Sequence, residues 1–348
     1  MFRKLLKFPK HGSRNNIKYG YKKTLLPFET ASFMLNLNEK VMIFKHTVEP
    51  FGDFEKHTLE NEQGDACILT PQYGACLLDL RFKGLSVLDG YKTPEELVEN
   101  AWAKNIVLFP FPNRLRDGSY THEGKTYQFD INNGDNAIHG FGKNVPMTVK
   151  NVTITDDAAT IHCIWQHEGS HKAYPFRFTF GIKMTLQDSA FEVEMSFQND
   201  DNTSIPVGLG WHPYFIMSER VEDISLQMPE SQFIMIDERM LPTGEKEEYH
   251  AFDTLTRIGE TNLDNGFFIT QESKQADVIL ESERGRLHYW QELGAKKWQF
   301  LQVFTPPHRK SIAIEPMTCN IDAFNNQEGL VMLEPNEVLS GKFGVRFS

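Results

Sequence analysis

Two ionisable residues stand directly before prolines, in contexts that suit acid–base chemistry. His212 lies in a Trp-His-Pro-Tyr-Phe motif at 211–215, and Glu315 lies in a Glu-Pro pair that follows the apolar run 312–314. Because proline disfavours the α region for the residue before it, we expect both side chains to project from extended backbone. A histidine and a carboxylate held in fixed directions could donate and accept protons at one substrate. The simpler interpretation is that each proline only ends a strand, so neighbouring motifs must decide.

An antiparallel sheet must position these residues, because strand patterns dominate the chain. Apolar residues occupy every second position from Phe176 to Leu186 and again over 191–197, and Gln-Asp-Ser at 187–189 predicts a hairpin turn between them. Thr-Pro-Glu-Glu at 93–96 is the one helix start with an N-cap, a first-turn proline and a capping-box Glu. The chain is therefore predicted to be all-β, a large antiparallel sandwich with few short helices. Further strands are predicted at 66–69, 75–82, 148–154, 160–166, 277–281, 287–291, 298–304, 311–314 and 342–347.

Composition indicates a folded globular protein and is compatible with a neutral substrate. The 348 residues include 27 Phe, with 40% hydrophobic and 24% charged residues, which suits wide buried sheet faces. The formal net charge of −11 disfavours a nucleic-acid surface, because phosphate binding needs a basic face, and no apolar run is long enough to span a membrane. Cysteines without Cys-x-x-Cys spacing favour reduced thiols and a cytoplasmic location. They are Cys67, Cys76, Cys163 and Cys319.

The start of the chain differs from the rest in charge. Residues 1–23 hold eight lysines and arginines and no acidic residue, without the apolar stretch of a secretory signal. We expect residues 1–33 to be a basic, disordered leader, with Met34 as an alternative start, and residues 34–348 to form one sandwich domain.

Short motifs follow one another along the chain in a characteristic order. They are Asn-Arg at 113–114, Gly-Ser-Tyr at 118–120, Glu-Gly-Lys-Thr-Tyr at 123–127, Ile-His-Gly at 138–140, Gly-Leu-Gly-Trp-His-Pro-Tyr-Phe at 208–215, Leu-Asp-Asn-Gly-Phe at 263–267, Glu-Pro at 315–316 and Asp-Ala-Phe-Asn at 322–325. In this order the chain resembles the aldose 1-epimerase (galactose mutarotase) family from about Asp65 to the C-terminus. The resemblance implies a β-sandwich of the mutarotase type, with a sugar cleft on a sheet face and neither cofactor nor metal.

The same resemblance assigns roles to the matched residues. His212 corresponds to the family's general acid and Glu315 to its general base. Interconverting the anomers of a free aldose needs a proton removed from the anomeric hydroxyl and another donated to the ring oxygen, which one acid and one base can do. The partner is then a small sugar such as glucose or galactose, and the protein a monomer or homodimer. The matched sugar-binding positions are Asn113, Arg114, His139 and Asp264.

Other functions remain open at this stage. A hexose-6-phosphate 1-epimerase would need a basic subsite, to which Arg116, Lys143 and Arg309 could contribute. A non-catalytic carbohydrate-binding protein could keep the cleft, although sugar binding alone does not require both His212 and Glu315. A glycoside hydrolase is disfavoured, because it normally uses two carboxyl groups. The run Phe-Pro-Phe-Pro at 109–112 departs from the glycine-rich approach of galactose-converting members, so the preferred sugar stays open.

Each candidate residue also has a purely structural interpretation. Arg114 and Arg116, two residues apart, would lie on one face of an extended strand, and either could be a surface charge. Asp264 could simply form a turn with the Asn-Gly that follows it. Aromatic residues near the motifs could stack on a sugar, but a buried core position is commoner for such residues in strands. These are Tyr127, Tyr214 and Phe215.

Overall fold

Antiparallel strands make up most of the structure, a computed structural model that describes residues 43–348. The predicted leader, and the proposed domain boundary after residue 33, lie outside the described residues. The strands are β1 (Phe44–Phe51), β2 (Phe54–Asn61), β3 (Ala66–Thr70), β4 (Cys76–Phe82), β5 (Leu85–Ser86), β6 (Val107–Leu108), β7 (Arg114–Leu115), β8 (Ser119–His122), β9 (Lys125–Gln128), β10 (Ala137–Ile138), β11 (Thr148–Ile154), β12 (Ala159–Glu168), β13 (Arg177–Gln187), β14 (Ala190–Asn199), β15 (Ile205–Val207), β16 (Gly210–Trp211), β17 (Tyr214–Phe215), β18 (Ser225–Gln227), β19 (Ser231–Ile236), β20 (Pro242–Glu248), β21 (Thr256–Arg257), β22 (Asp264–Ile269), β23 (Gln275–Ser282), β24 (Gly285–Glu292), β25 (Phe300–Phe304), β26 (Ile312–Met317), β27 (Val331–Leu333) and β28 (Val338–Phe347).

Helices are few and short in the described part of the chain. The α-helices are α1 (Pro94–Glu99) and α2 (Ala323–Asn326), and 3-10 helices lie at Ala101–Ala103, Arg116–Gly118, Gly142–Asn144 and Val221–Asp223. The predicted start of α1 is confirmed, because the Thr93 hydroxyl accepts a hydrogen bond from the Glu96 amide at 3.3 Å. The Glu96 carboxylate accepts from the Lys92 amide, one residue before the N-cap. None of the helices in residues 43–348 is long and apolar enough to span a membrane.

The strands form two large sheets and a smaller one. The first large sheet has nine strands in the order β11-β12-β13-β14-β28-β24-β23-β18-β21. The second has eight strands, in the order β20-β19-β22-β25-β26-β16-β6, with β17 paired to β26. Strands β1 to β5 form a five-stranded sheet, and β7/β10, β8/β9 and β15/β27 form two-stranded ribbons. This arrangement confirms the predicted all-β antiparallel sandwich.

The hairpin and strand patterns read from the sequence agree with the structure in most places. Strands β13 and β14 pair along their whole length, and Gln187 pairs with Ala190 across the predicted turn. Several expected boundaries were wrong, among them the start of β28, which is Val338 rather than residue 342, and two boundaries beside the cleft. The predicted strand at 298–304 begins only at Phe300, because the Trp298 amide donates to the carbonyl of Glu292, the last residue of β24. Strand β26 continues through Pro316 to Met317, so the proline after Glu315 does not end the strand.

One cluster of buried side chains joins the sheets and leaves one sheet face free for a site. Leu301 and Val303 of β25 belong to this core, and so do Ile312 and Ile314 of β26. Side chains alternate between the two faces of a strand, so the residues between them point away from the core. The cluster extends to β13 and β14 of the nine-stranded sheet, where the Phe178 and Phe197 rings stack at 4.2 Å. All four cysteines are buried free thiols.

Candidate active site

A cleft of about 470 Å³ lies on the face of the eight-stranded sheet that points away from the core. The structure brings all six residues that the sequence singled out to the lining of this cleft. They are Asn113, Arg114, His139, His212, Asp264 and Glu315. Their roles stay predictions, but their convergence is a finding. The remaining lining residues are Trp102, Ala103, Asn132, Asn133, Ile138, Tyr214, Gln302 and Phe304.

Strands β22, β25 and β26 build one wall of the cleft, here called the sheet wall and defined by Asp264, Gln302, Phe304 and Glu315. Asp264 pairs directly with Phe304, and Gln302 pairs directly with Glu315. Directly paired residues of adjacent strands share a face, so register alone places these side chains together. Gln302 Nε2 donates a hydrogen bond to Asp264 Oδ1 at 2.9 Å. Asp264 is the first residue of β22, and its side chain faces the cleft beside Gln302.

The two residues that precede prolines meet inside the cleft. His212 Nε2 lies 3.5 Å from Glu315 Oε1, and the residues are only 6% and 2% exposed. Tyr214 pairs with Ala313 of β26, and its ring lies parallel to the His212 ring at 4.9 Å. Burial lowers the pKa of His212 to about 3. Burial, followed by the nearby Asp264, raises the pKa of Glu315 well above its ordinary value. The surroundings therefore favour the uncharged form of each group.

Asn105 holds the backbone on both sides of His212. Its amide donates to the His212 carbonyl at 2.8 Å, and its carbonyl accepts from Trp211 Nε1 at 3.2 Å. Its side-chain oxygen accepts from the Tyr214 amide at 3.1 Å, while Nδ2 donates to the carbonyls of Leu77 and Asp89. Asn105 is fully buried with φ of 61°, a left-handed conformation that asparagine adopts more readily than most residues. The backbone and the side chain of the buried Asn105 thus help to fix the direction of the His212 side chain.

A short ribbon and the turns beside it form another part of the lining, here called the loop wall and defined by residues 102–103, 113–114, 132–133 and 138–139. Arg114 pairs with Ile138, so the Asn-Arg and Ile-His motifs lie side by side. Asn113 and His139 both have positive φ, at 55° and 68°, and the His139 amide donates to the Asn113 carbonyl. Gly140 follows because a Cβ there would lie 2.2 Å from the Phe109 carbonyl oxygen. The His139 ring meets the His212 ring edge-on at 5.2 Å.

Side-chain oxygens orient the Arg114 guanidinium. Its Nε donates to Asn133 Oδ1 at 3.0 Å, and its Nη1 donates to Asn113 Oδ1 at 3.2 Å. Arg239 in turn fixes the loop that carries Asn133, because its Nη2 donates to Asn136 Oδ1 and to Asp117 Oδ1, both at 2.7 Å. A guanidinium held from two sides keeps its remaining donors aimed in a fixed direction.

The second arginine of the Asn-Arg-Leu-Arg run does not share a strand face with Arg114, contrary to the sequence-based expectation. Strand β7 ends at Leu115, and Arg116 opens a 3-10 turn in which Asp117 has φ of 55°. The Arg116 guanidinium lies 3.5 Å from Asp322 and 3.8 Å from Asp237, outside the cleft. The tight turn, needed to start the next hairpin, breaks the two-residue alternation on which the expectation rested.

The three cations considered for a phosphate subsite do not line the cleft. Arg116 pairs with carboxylates elsewhere, and Arg309 Nε donates to Glu222 Oε1 at 2.7 Å. Lys143 lies in the 3-10 helix Gly142–Asn144 and is absent from the lining. Among the residues that the structure describes, Arg114 is the one lysine or arginine that lines the cleft.

Some lining residues were missed from the sequence. Gln302 is the one polar residue in the buried strand Phe300–Phe304, and this interruption of an apolar run was a usable signal. Trp102 carried no comparable signal, since it lies in a short irregular segment. Of the three aromatic candidates, Tyr214 lines the cleft, whereas Tyr127 and Phe215 belong to the core.

Within residues 43–348, no group of three or more histidines, cysteines and carboxylates could hold a metal ion.

Comparison with known proteins identifies the family. The family model for aldose 1-epimerase matches residues 55–346. The uncharacterised protein YihR of Escherichia coli K12 is 28% identical over 313 residues, which cover 83% of this chain and 94% of that protein. The aldose 1-epimerase of Streptococcus thermophilus is 26% identical over 266 residues, which cover 67% of this chain and 73% of that enzyme. A galactose mutarotase-like protein from Clostridium acetobutylicum has the same fold, with a TM-score of 0.77 at 22% identity over 89% of this chain and 99% of that one. The protein belongs to the aldose 1-epimerase family.

Proposed function

We propose that this protein is an aldose 1-epimerase that interconverts the α and β anomers of a free aldose such as glucose or galactose. The observation that carries the proposal is the contact of 3.5 Å between His212 Nε2 and Glu315 Oε1, buried in a cleft with polar side chains around it. Family membership supports the reaction class. The identity of the sugar and the catalytic roles are part of the proposal.

In the proposed reaction one proton leaves the sugar and another reaches it in the same step. Glu315 removes the proton from the anomeric hydroxyl, and His212 donates a proton to the ring oxygen. The bond between C1 and the ring oxygen breaks, and the anomeric oxygen becomes the aldehyde carbonyl. Rotation about C1–C2 presents the other carbonyl face, and the reverse proton transfers close the ring. Each positioned acid or base contributes on the order of 10²–10⁴-fold.

Ring opening starts from the charged pair, a carboxylate Glu315 and a protonated His212, which burial disfavours relative to the uncharged pair. Ring opening leaves a protonated Glu315 and a neutral His212, which are the forms that burial favours. Ring closure restores the charged pair, and the net charge of the two groups is the same in both states. The reaction therefore moves protons without changing the total charge of the cleft, which limits the cost of a poorly solvated site.

Neighbouring residues hold the sugar during the reaction. Arg114 offers a charged donor that stabilises negative charge developing on a sugar oxygen. Asp264 and Gln302 form a hydrogen-bonded pair at 2.9 Å, and Asn113 Nδ2 lies 3.4 Å from Gln302 Oε1. Sugar hydroxyls both donate and accept, so this mixed set of acceptors and donors can orient the ring.

Two alternatives are weaker for stated reasons. A hexose-6-phosphate 1-epimerase needs cations beyond Arg114, and those considered pair with carboxylates or lie away from the cleft lining. A non-catalytic sugar-binding protein would retain a buried His–Glu contact without need, although burying ionisable groups costs stability.

We further propose that the protein works in a reducing compartment such as the cytoplasm, since its four cysteines are unpaired thiols.

A substrate panel tests the proposal. Polarimetry follows mutarotation of freshly dissolved α-glucose, α-galactose and a pentose, while coupled assays follow glucose 6-phosphate. We expect acceleration with at least one free aldose, little with the phosphate, and none with the Glu315→Gln variant. Acceleration confined to the phosphate would favour the hexose-phosphate alternative. Sugar binding without acceleration of any substrate would favour the binding protein and overturn the proposal.

A further inference from the structure

A strained segment borders the cleft on the side of the loop wall. Between α1 and β6, non-glycine residues with positive φ occur at Asn100 (52°), Trp102 (64°), Ala103 (51°) and Asn105 (61°). For tryptophan and alanine this conformation is unfavourable, because the Cβ approaches the backbone carbonyl. Strain of this kind persists only where surrounding contacts enforce it, and it concentrates at functional segments.

Partly buried hydrogen bonds enforce the conformation of this segment. Tyr214 Oη, next to His212, donates to the Trp102 carbonyl at 2.9 Å. Tyr91 Oη donates to the Ala101 carbonyl at 3.0 Å and accepts from the Lys104 amide at 2.9 Å. The residue that holds the Trp102 backbone therefore also stacks on the histidine of the acid–base pair, so the segment and the pair are placed by the same side chain.

The segment presents an indole ring to the cleft. Trp102 lines the cleft and is 47% exposed, although every other tryptophan in the described chain is buried or partly buried. Its ring lies 6.2 Å from the Phe304 ring of the sheet wall and meets the His308 ring edge-on at 6.0 Å. Phe304 and Ala103 line the same cleft. A large apolar surface thus stays in contact with water beside the polar side chains of the cleft, which is unfavourable unless a ligand covers it.

We propose that Trp102 is a specificity-determining residue whose indole packs against the apolar C–H face of the bound pyranose ring. This inference rests on the proposed function and names the class of sugar: an aldose whose hydroxyls are equatorial and leave that face free of polar groups. An axial hydroxyl on the face would lose its water against the indole without gaining a partner. The polar side chains of the cleft then recognise the hydroxyls at the ring edge, while Trp102 recognises the face.

The contact affects substrate binding more than the chemical step. The indole meets the same C–H groups before and during ring opening, so it stabilises the ground state and the transition state alike. Removing such uniform binding raises KM and leaves kcat nearly unchanged. Loss of Tyr214 or Asn105 contacts would instead disturb His212 and lower kcat. The split between KM and kcat therefore separates a substrate platform from a structural support.

The test compares Trp102→Ala and Trp102→Phe with the wild type and with Val98→Ala, a smaller truncation at a 59% exposed position of α1 outside the cleft. Mutarotation kinetics give KM and kcat, and calorimetry gives Kd for glucose and its epimers. For Trp102→Ala we expect KM and Kd for glucose to rise about ten-fold, with kcat within about two-fold. Trp102→Phe keeps most of the affinity, and Val98→Ala matches the wild type. Sugar changes the tryptophan emission of the wild type but not of Trp102→Phe.

Each outcome supports or overturns the inference. Wild-type KM and Kd in Trp102→Ala would overturn it, and so would a Trp102→Ala variant that loses kcat and thermal stability together. Equal loss of affinity for glucose and for all its epimers would overturn the specificity role. If the wild type binds sugar but does not accelerate mutarotation, the proposed function fails, and the Kd comparison alone still decides whether Trp102 is the platform.

Discussion

The two walls of the cleft are built in different ways. In the sheet wall, Asp264, Gln302 and Glu315 lie on adjacent strands and take their positions from the register of a ladder that the whole fold stabilises. In the loop wall, Asn113 and His139 have positive φ, and side-chain hydrogen bonds hold the backbone in place. Residues of the sheet wall can therefore be changed without disturbing the backbone that holds them, whereas residues of the loop wall cannot. Substitutions in the loop wall should disturb the backbone and so change both rates and stability. Substitutions in the sheet wall should leave the backbone in place and change rates, with stability altered only through buried charge, as at Glu315.

The largest loss of stability should come from Asn105→Ala. The change leaves the Tyr214 amide and the carbonyls of Leu77 and Asp89 without their partner in a buried site. We expect a loss of about 3 kcal/mol in the free energy of unfolding, measured by urea titration, together with a fall in kcat as His212 shifts. Asn151→Ala, at an exposed position of β11, serves as the control and should cost less than about 0.5 kcal/mol. Equal stability of the two variants would show that Asn105 does not support the loop wall.

A comparison of two glycines separates the effect of a steric contact next to His139 from the effect of backbone strain. Gly140 and Gly259 have nearly equal φ of 57° and 55°, but a Cβ at Gly140 would lie 2.2 Å from the Phe109 oxygen, whereas nothing lies within 4 Å at Gly259. Both alanine variants carry the same backbone strain. We therefore expect Gly140→Ala to lose about 2 kcal/mol more stability than Gly259→Ala and to lose activity as well. Thermal unfolding and kcat/KM measure the two effects, and matching values for both variants would contradict this account of the turn.

The buried pair should give opposite pH dependences of stability when each member is removed. The pKa of Glu315 is raised in the folded state, so its contribution is intact below the unfolded value near 4.5 and is lost as pH rises, by about 1.4 kcal/mol per pH unit. The pKa of His212 is lowered to about 3, so stability is lost as pH falls below 6.5. Relative to the wild type, Glu315→Gln should gain stability with rising pH and His212→Asn with falling pH. Denaturant titrations at pH 5 and pH 8 that give the same difference for both variants would rule out this pair.

The smallest effect should follow from Arg239→Gln. Its hydrogen bonds to Asn136 and Asp117 fix the loop that carries Asn133, which orients Arg114. Exposed ion pairs contribute less than about 1 kcal/mol, so stability should change little. We expect KM to rise about two- to five-fold, since Arg114 loses part of its orientation. Arg220→Gln, which removes an exposed pair with Glu222 away from the cleft, is the matched control. A KM equal to that of the control would show that Arg239 does not help to orient Arg114.

The sequence predicts the residues of the two walls to different extents. The alternation of apolar residues predicts the central strands. The same pattern reveals a polar residue that interrupts a buried strand, such as Gln302. Register then brings Glu315 and Gln302 together without further information. The motif order, read as a family resemblance, supplied the loop-wall residues Arg114 and His139 that alternation alone could not.

The remaining features depend on contacts between distant parts of the chain. Asn105 acts on His212, more than one hundred residues later, and its other partners lie on the strand and loop at Leu77 and Asp89. Positive φ at Trp102 is contrary to the local preference of tryptophan, so only tertiary contacts can impose it. The expectation that Arg116 shares a face with Arg114 was wrong for a local reason, because the 3-10 turn at Arg116–Gly118 interrupts the strand pattern.

The central claim is that Glu315 and His212 exchange protons with the anomeric and ring oxygens of a sugar. Two-dimensional NMR exchange spectroscopy on an equilibrated aldose measures this directly, since the α and β anomeric protons give separate signals. The account predicts exchange cross-peaks in the presence of the wild type and a rate at least about 10²-fold lower for Glu315→Gln and for His212→Asn, with both variants folded. Wild-type exchange rates in either folded variant would contradict it.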